Sequence, residues 1–158
     1  MPNEEYPFTT FNFRIQLNVP GLDNPLCDAA FAECDGLEMT MEPKTVHEGG
    51  NNTRQINLVG PVTYGNLTLK RGMTSNLDLW RWFALSTRGD GRGTAASGVI
   101  LMGDSANGAE SAKVRFKLFD CLPIKIKAPA LNAKEGILAI EEMEIAYGSF
   151  EIELVQGA

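Results

Sequence analysis

Histidine is all but missing from this chain: His47 is the sole imidazole in 158 residues. Cysteine is scarce too, with only Cys27, Cys34 and Cys121. A structural zinc site takes four good ligands, so one histidine and three scattered thiols argue against a metal centre. An odd number of cysteines without a secretory leader argues for reduced thiols over a disulfide framework. Cys34 and Cys121 stand in strand-like runs, where a thiol is most often a small buried hydrophobe. Long apolar runs are absent: none approaches the ~20 residues that span a bilayer, so no direct membrane insertion is expected. Met1 to Tyr6 is acidic and has no apolar centre, so it does not read as a signal peptide, and synthesis in the cytoplasm is expected. Basic residues are in the minority, 14 Lys and Arg against 20 Asp and Glu, for a net charge of -6. That balance disfavours non-specific binding to nucleic acid, although local basic faces can still exist.

Catalytic constellations are equally thin. Cys34 and His47 would make a thiol nucleophile and a base, but no third group is in view to orient them. Gly89-Asp90-Gly91-Arg92-Gly93 follows a helix instead of leading a strand into one, and it lacks the Gly-Lys-Ser/Thr of a phosphate loop. Glu141, Glu142 and Glu144 could be paired carboxylates. No apolar pocket accompanies them, so a solvated strand face, opposite the basic Lys113, Arg115 and Lys117, is the better reading. The chain is therefore read as a non-enzyme without a cofactor.

What the sequence does contain is strands. Phe11, Phe13, Ile15, Leu17 and Val19 alternate with polar residues. Ala30 to Cys34 turns at Asp35-Gly36 into a return strand with Leu37, Met39 and Met41 on one side. Residues 43–53 have no period. They carry Lys44, His47, Glu48, Gly49, Gly50, Asn51 and Asn52, and they form a long exposed loop or a protruding hairpin. Arg54 to Val59 returns as a strand. Val99 to Met102 is short. A long strand follows, with Val114, Phe116, Leu118, Leu122, Ile124 and Ile126 on one parity and Pro123 at a kink or edge. After Glu141 the apolar parity flips at Gly148, which predicts a bend or β-bulge. The 158 residues read as one domain: mainly β, an antiparallel sandwich or barrel of about seven or eight strands, with one flanking helix.

The organising stretch is Gly60 to Phe83. Leu67 and Leu69 alternate with Asn66, Thr68 and Lys70, and Gly72 ends that strand. Thr74, Ser75 and Asn76 offer oxygens to cap a helix start. The spacing then predicts a helix whose broad apolar face is Leu77, Leu79, Trp80, Phe83 and Ala84. Trp82 falls off that face. It is covered by a loop of the same chain or is a contact surface for another subunit, the second being the choice here.

Leu67-Thr68-Leu69-Lys70-Arg71-Gly72 followed by a helix with Leu79-Trp80-Arg81-Trp82 resembles the tail-tube proteins of contractile phages, and most of all the inner-tube proteins of contractile injection systems. Phe31 to Leu37 is similar to the family's early strand-turn-strand, His47 to Asn51 to its following loop, and Leu118 to Ile124 to its late strand. The resemblance runs from about Phe11 to Val155. It implies a structural self-assembly protein whose hexameric rings pair edge to edge and stack into a hollow tube. It implies an inter-ring role for the 43–53 loop, with sheath, baseplate and spike proteins as partners. It also implies a polar lumen through which effector proteins, or DNA in a phage, would pass; Lys113, Arg115, Lys117, Glu142 and Glu144 are candidates for that face. The protein would end in an assembled particle or virion tail. A tube-initiating or baseplate paralogue of the same fold, and a monomeric ligand-binding β-barrel, are the alternatives.

Overall fold

The computed structural model describes residues 13–20, 31–47, 49–50, 54–88, 95–103 and 112–155, with side chains from Val114 onward in the last segment. They form β1 (Phe13–Asn18), β2 (Glu33–Asp35), β3 (Met39–Met41), β4 (Lys44–His47), β5 (Gln55–Leu58), β6 (Val62–Tyr64), β7 (Leu67–Gly72), α1 (Asp78–Thr87), β8 (Ala96–Gly103), β9 (Ala112–Lys127), β10 (Ile140–Ala146) and β11 (Ser149–Leu154). Every strand pair among them is antiparallel. The mainly-β class with one helix agrees with the sequence. The strand number is higher because the 39–64 region, expected as two strands joined by a long loop or a protruding hairpin, holds four short strands in two ladders, the hairpin alternative.

β9 belongs to two half-sheets. Val114–Phe119 lies between β8 and β11, and β1 continues beyond β8. Leu122–Lys127 pairs with β10, and β7 and β2 continue beyond it. Ile15 and Leu17 from the first half-sheet, and Leu67, Leu69, Met143 and Ile145 from the second, are all fully or almost fully buried in one core. Each such side chain contributes ~1.5–3 kcal/mol by leaving water.

To serve both half-sheets, β9 has to change which parity points inward. Asp120 takes a left-handed conformation, φ 55, and the Gly148 N–H donates to the Phe119 carbonyl at 2.9 Å. Phe119 and Asp120 are both exposed, and the buried positions shift from Leu118 to Cys121 and Pro123. A second register shift opposite Glu144 and Ile145 leaves Ile124 44% exposed. The single inward parity expected for Val114 to Ile126 is therefore wrong: two irregularities, invisible to period counting, reset it. The flip expected at Gly148 is present as the break between β10 and β11, with Phe150 packed against the core, while Ile152 and Leu154 on the same parity are exposed.

The helix corrects a second expectation. Leu79 and Trp82 are its buried residues, with Trp82 fully enclosed, while Trp80 is half-buried and Leu77 and Ala84 are exposed. The inward face is Leu79, Trp82, Phe83 and Ser86, the i, i+3, i+4, i+7 stripe. Ser86 is polar, so the true stripe scored one apolar residue short, while Leu77 and Ala84 pulled the expected face round the helix. Trp82 is thus core within its own chain and not an exposed subunit contact. The side chain of Asn76 does serve the helix start, its Oδ1 accepting from the Asp78 N–H at 3.2 Å.

Trp80 has another task. Arg71 and Glu141 face each other across β7 and β10 and are both buried. Arg71 Nε donates to Glu141 Oε1 at 2.5 Å and Nη2 to Asp78 Oδ1 at 2.5 Å. Trp80 Nε1 donates to Glu141 Oε2 at 2.8 Å. Buried charges persist only when paired and hydrogen-bonded, so this network fastens the first turn of α1 to the sheet. Glu141, expected on a solvated face, is instead its central acceptor. We expect Trp82→Ala to cost ~3–5 kcal/mol in chemical denaturation of unassembled protein and Trp80→Phe, which keeps most of the ring, clearly less. Equal losses would mean that the helix face drawn here is wrong.

Candidate assembly surfaces

A two-stranded arm leaves the barrel between Leu37 and Asn66. Met39–Met41 pairs with Val62–Tyr64, and Lys44–His47 pairs with Gln55–Leu58. All residues of β3 and β4 are exposed. Between the ladders, Glu42-Pro43 lies opposite Val59-Gly60-Pro61, one residue more on the returning strand. Pro43 and Pro61 offer no N–H there, and the Glu42 N–H donates across to the Pro61 carbonyl at 3.3 Å. Gly60 permits the crossing: a Cβ on it would stand 1.7 Å from the Glu42 carbonyl oxygen.

The arm is two-faced. Directly opposed residues share a face, so Met39 and Met41 lie with Tyr64 and Val62, and Val46 lies with Ile56 beside Lys44 and Leu58. The reverse side of the tip is polar: Thr45 faces Asn57, His47 faces Gln55, and Gln55 Nε2 donates to Thr45 Oγ1 at 3.2 Å. Met39, Met41, Leu58 and Val62 are roughly half exposed, and Val59 is 81% exposed. So much exposed apolar surface on a projection marks an interaction site.

The base of the arm is held by Tyr147, which follows β10. Its hydroxyl donates to the Gly36 carbonyl at 2.9 Å and accepts from the Glu38 N–H at 3.2 Å. Its ring meets Tyr64 and Phe150 at centroid distances of 5.8 Å each. Burial pushes the phenol's pKa up, keeping the donor protonated. Gly36, at φ 107, lies so close to Asn66 that a Cβ would meet its carbonyl oxygen at 1.9 Å. Tyr147 carried no signal beyond apolar parity in the sequence; the glycines did, as isolated glycines beside strand patterns.

Of the candidate loop residues, Lys44 and His47 stand exposed on β4, and Gly49 and Gly50 lie in the turn, Gly50 at φ 93. Glu48, Asn51 and Asn52 lie outside the described residues, as does the side chain of Lys113. The polar strand-face candidates separate into two groups. Arg115 and Lys117 lie in the first half-sheet, bonded to Glu153 at 2.7 and 3.3 Å; these bonds hold the Glu153 carboxyl below its usual pKa. Glu142 and Glu144 lie in the second, opposite Lys127 and Lys125 on one side and Lys70 and Thr68 on the other. The expected pairing of these glutamates with Arg115 and Lys117 is wrong, because the Gly148 break directs β11, not β10, to that part of β9.

The chemistry of the thiols is quiet. Burial, with the adjacent Asp35 carboxylate adding to it, pushes the Cys34 pKa up to about 12, and burial with Asp120 does the same for Cys121. At neutral pH both are protonated and poor nucleophiles. An apolar cleft of about 310 Å³ beside Cys34 is lined by Phe13, Leu37, Ile100, Met102 and Phe116, with Ala32 and Glu33. One carboxylate in an oily cleft is a weak basis for orienting a small ligand. Among the described residues no three His, Cys, Asp or Glu gather as a metal site requires, and no helix is long and apolar enough to cross a membrane.

The family model of the T4-like virus tail tube protein gp19 matches residues 9–151. A chain of the anti-feeding prophage baseplate superposes at a TM-score of 0.81 with 24% identity, covering 94% of this chain and 97% of that one. A chain of the sheath-tube complex of an extracellular contractile injection system, PVC, gives 0.77 at 18%, covering 96% and 95%. Hcp1 from Flavobacterium johnsoniae gives 0.55 at 12%, covering 88% and 94%. At these identities the likeness is one of fold. No curated protein sequence matched.

The crossing of the two strands at Gly60 can be tested directly. Gly60→Ala places a methyl where the Glu42 carbonyl already stands, so the two ladders must part. We expect faster protease cleavage and amide exchange within 39–64, with the denaturation midpoint of the barrel unchanged. Wild-type protection of the arm in this variant would mean that the crossing is looser than described.

Proposed function

The chain belongs to the T4-like virus tail tube protein family, and from that premise we propose that it forms hexameric rings that stack into the inner tube of an injection particle or phage-like tail. A tube protein acts mechanically: it encloses a passage, and a sheath drives it through a target envelope. Sheath, baseplate and spike proteins are the expected neighbours, with effector protein, or DNA in a phage, as cargo.

The observation that carries this reading is the arm. A ring needs contacts around its circumference, which sheet edges can supply. Stacking needs something that projects along the axis. The arm projects, exposes an apolar face and is anchored at its base by Tyr147 and the Gly36–Asn66 contact. Lys44, His47 and the Gly49–Gly50 turn lie at its tip and form the inter-ring contact in this reading, together with Glu48, Asn51 and Asn52.

The arm at the axial joint also fits a tube-initiating or baseplate paralogue, a reading supported by the likeness to a baseplate chain. Electron microscopy of the purified protein separates the two: tubes of indefinite length belong to a main tube subunit, short stacks to an initiator. Shortening residues 44–52 should leave single rings and abolish stacking. Cysteine in place of His47 should cross-link subunits of different rings. Long tubes from the shortened protein would remove the arm from the axial joint.

A further inference from the structure

Each half-sheet turns one face away from the shared core, and the two outer faces differ in chemistry. On the second half-sheet, Glu33 lies opposite Lys70, Lys70 opposite Glu142, and Glu142 opposite Lys127. The next row runs Asp35, Thr68, Glu144, Lys125. The apolar residues of this parity, Ile140 and Ala146 on β10 and Leu122 on β9, lie beyond both rows, and Ile124 lies at the bulge. The outer rows of the first half-sheet run Arg14, Leu101, Arg115, Glu153 and Gln16, Val99, Lys117, Glu151. An apolar residue interrupts each of them, and Phe119 beside them is 37% exposed. Apolar surface of that kind suits contact with protein. A water-filled passage is better walled by the face whose rows hold none.

The rows of the second half-sheet are also nearly neutral. They hold four carboxylates and three lysines, so a chain of net charge -6 leaves one excess negative charge there. Glu33 and Lys70 are 3.7 Å apart. Opposite signs alternate at the spacing of neighbouring strands, ~4.8 Å, so their fields cancel within about that distance of the surface. In a narrow passage, a lining of one sign concentrates cargo of the opposite charge and repels cargo of its own. An acidic lining would hold basic polypeptide. A basic one would hold acidic polypeptide and the phosphates of nucleic acid, which bind cationic surfaces by releasing counterions. The balanced rows do neither, and they carry no aromatic ring on which a base could stack.

We infer that this face lines the passage and that Lys70, Lys125 and Lys127 bring it close to neutrality, so that polypeptide cargo of either net charge moves along it without being held. The inference rests on the tube reading above and adds which face meets the cargo and what that face selects. A wall blind to sign cannot choose the cargo, so the choice is made elsewhere in the particle.

The test uses assembled rings and tubes of the full chain with three probes: an oligoglutamate peptide, an oligolysine peptide and single-stranded oligothymidylate. Co-sedimentation reads how much of each is retained at physiological salt, and electron microscopy reads whether the added density lies inside. Wild type should retain the two peptides alike, within about twofold, and oligothymidylate no better. Lys125→Gln with Lys127→Gln should raise retention of oligolysine about tenfold. Glu142→Gln with Glu144→Gln should do the same for oligoglutamate and oligothymidylate. Both gains should place density in the lumen and vanish at high salt. Where a pair does not fold or assemble, as circular dichroism and microscopy read, Lys127→Gln or Glu142→Gln alone replaces it, with a smaller gain of the same sign. Wild type that holds one peptide as strongly as the matched variant overturns the inference. So do variants that retain no more than wild type, or density outside the tube; the tube reading stands in each case. Oligothymidylate held inside wild-type tubes above both peptides overturns it in favour of a wall for nucleic acid. Wild-type protein that assembles under no condition overturns the tube reading, and the inference with it.

Discussion

The structure depends on a constraint on one strand: β9 must be the shared member of two half-sheets that face each other across one core. A strand of fixed parity cannot do this while both half-sheets bury their oily sides. The chain meets the constraint with a left-handed residue at Asp120 and a break in the partner strand at Gly148, tied together by a backbone hydrogen bond. Much else follows from that corner. β10 and β11 become separate strands, Cys121 and Pro123 turn inward, and the second half-sheet ends at β2 and at Leu122–Lys127, with no further strand against either among the described residues. The helix then lies against β9 with Trp82 in the core, and its first turn is fastened to β7 and β10 through Arg71 and Glu141.

The same architecture divides labour among surfaces. The barrel is held by side chains that never reach water. The arm is held by backbone pairing, two glycine contacts too close for any side chain, and one phenol. That separation lets the arm be perturbed without the core, because few of its contacts are shared with the barrel. The charged faces are a third, separate layer, in which cross-strand neighbours set the sign of each residue.

The sequence was legible where a single physical rule governs. Strict alternation marked β1 and β7, the Asp35-Gly36 and Gly72 stops marked turns, and the polar, glycine-bearing 43–53 segment marked a projection. It was illegible where two rules meet. Period counting assumes an unbroken strand, so the bulges in β9 misplaced Ile124, and the Gly148 break gave Arg115 and Lys117 to β11 instead of to Glu142 and Glu144. A helical wheel counts apolar residues, so the inward Ser86 cost the true face a point and Trp82 was assigned to the outside. Glu141 looked like one more solvated carboxylate, because nothing local shows that Arg71 lies opposite it. These errors share a cause: each is settled by a neighbour tens of residues away. The class of the fold survived them because it rests on turns and stops.

A ribbon with one oily and one polar face, fixed at one end, is not symmetric under reversal. If such arms join successive rings, every ring offers arms in one direction and receives them from the other. The resulting cylinder has polarity, like a filament with a growing and a starting end. Its two mouths then expose different surfaces: at one, unseated arms with Val59 and Leu58 in water; at the other, the empty seats that arms would have filled. A protein shaped to close one mouth cannot close the other. A tube joined in that way would need two unlike terminal proteins, and its direction would be set when the first ring is laid down.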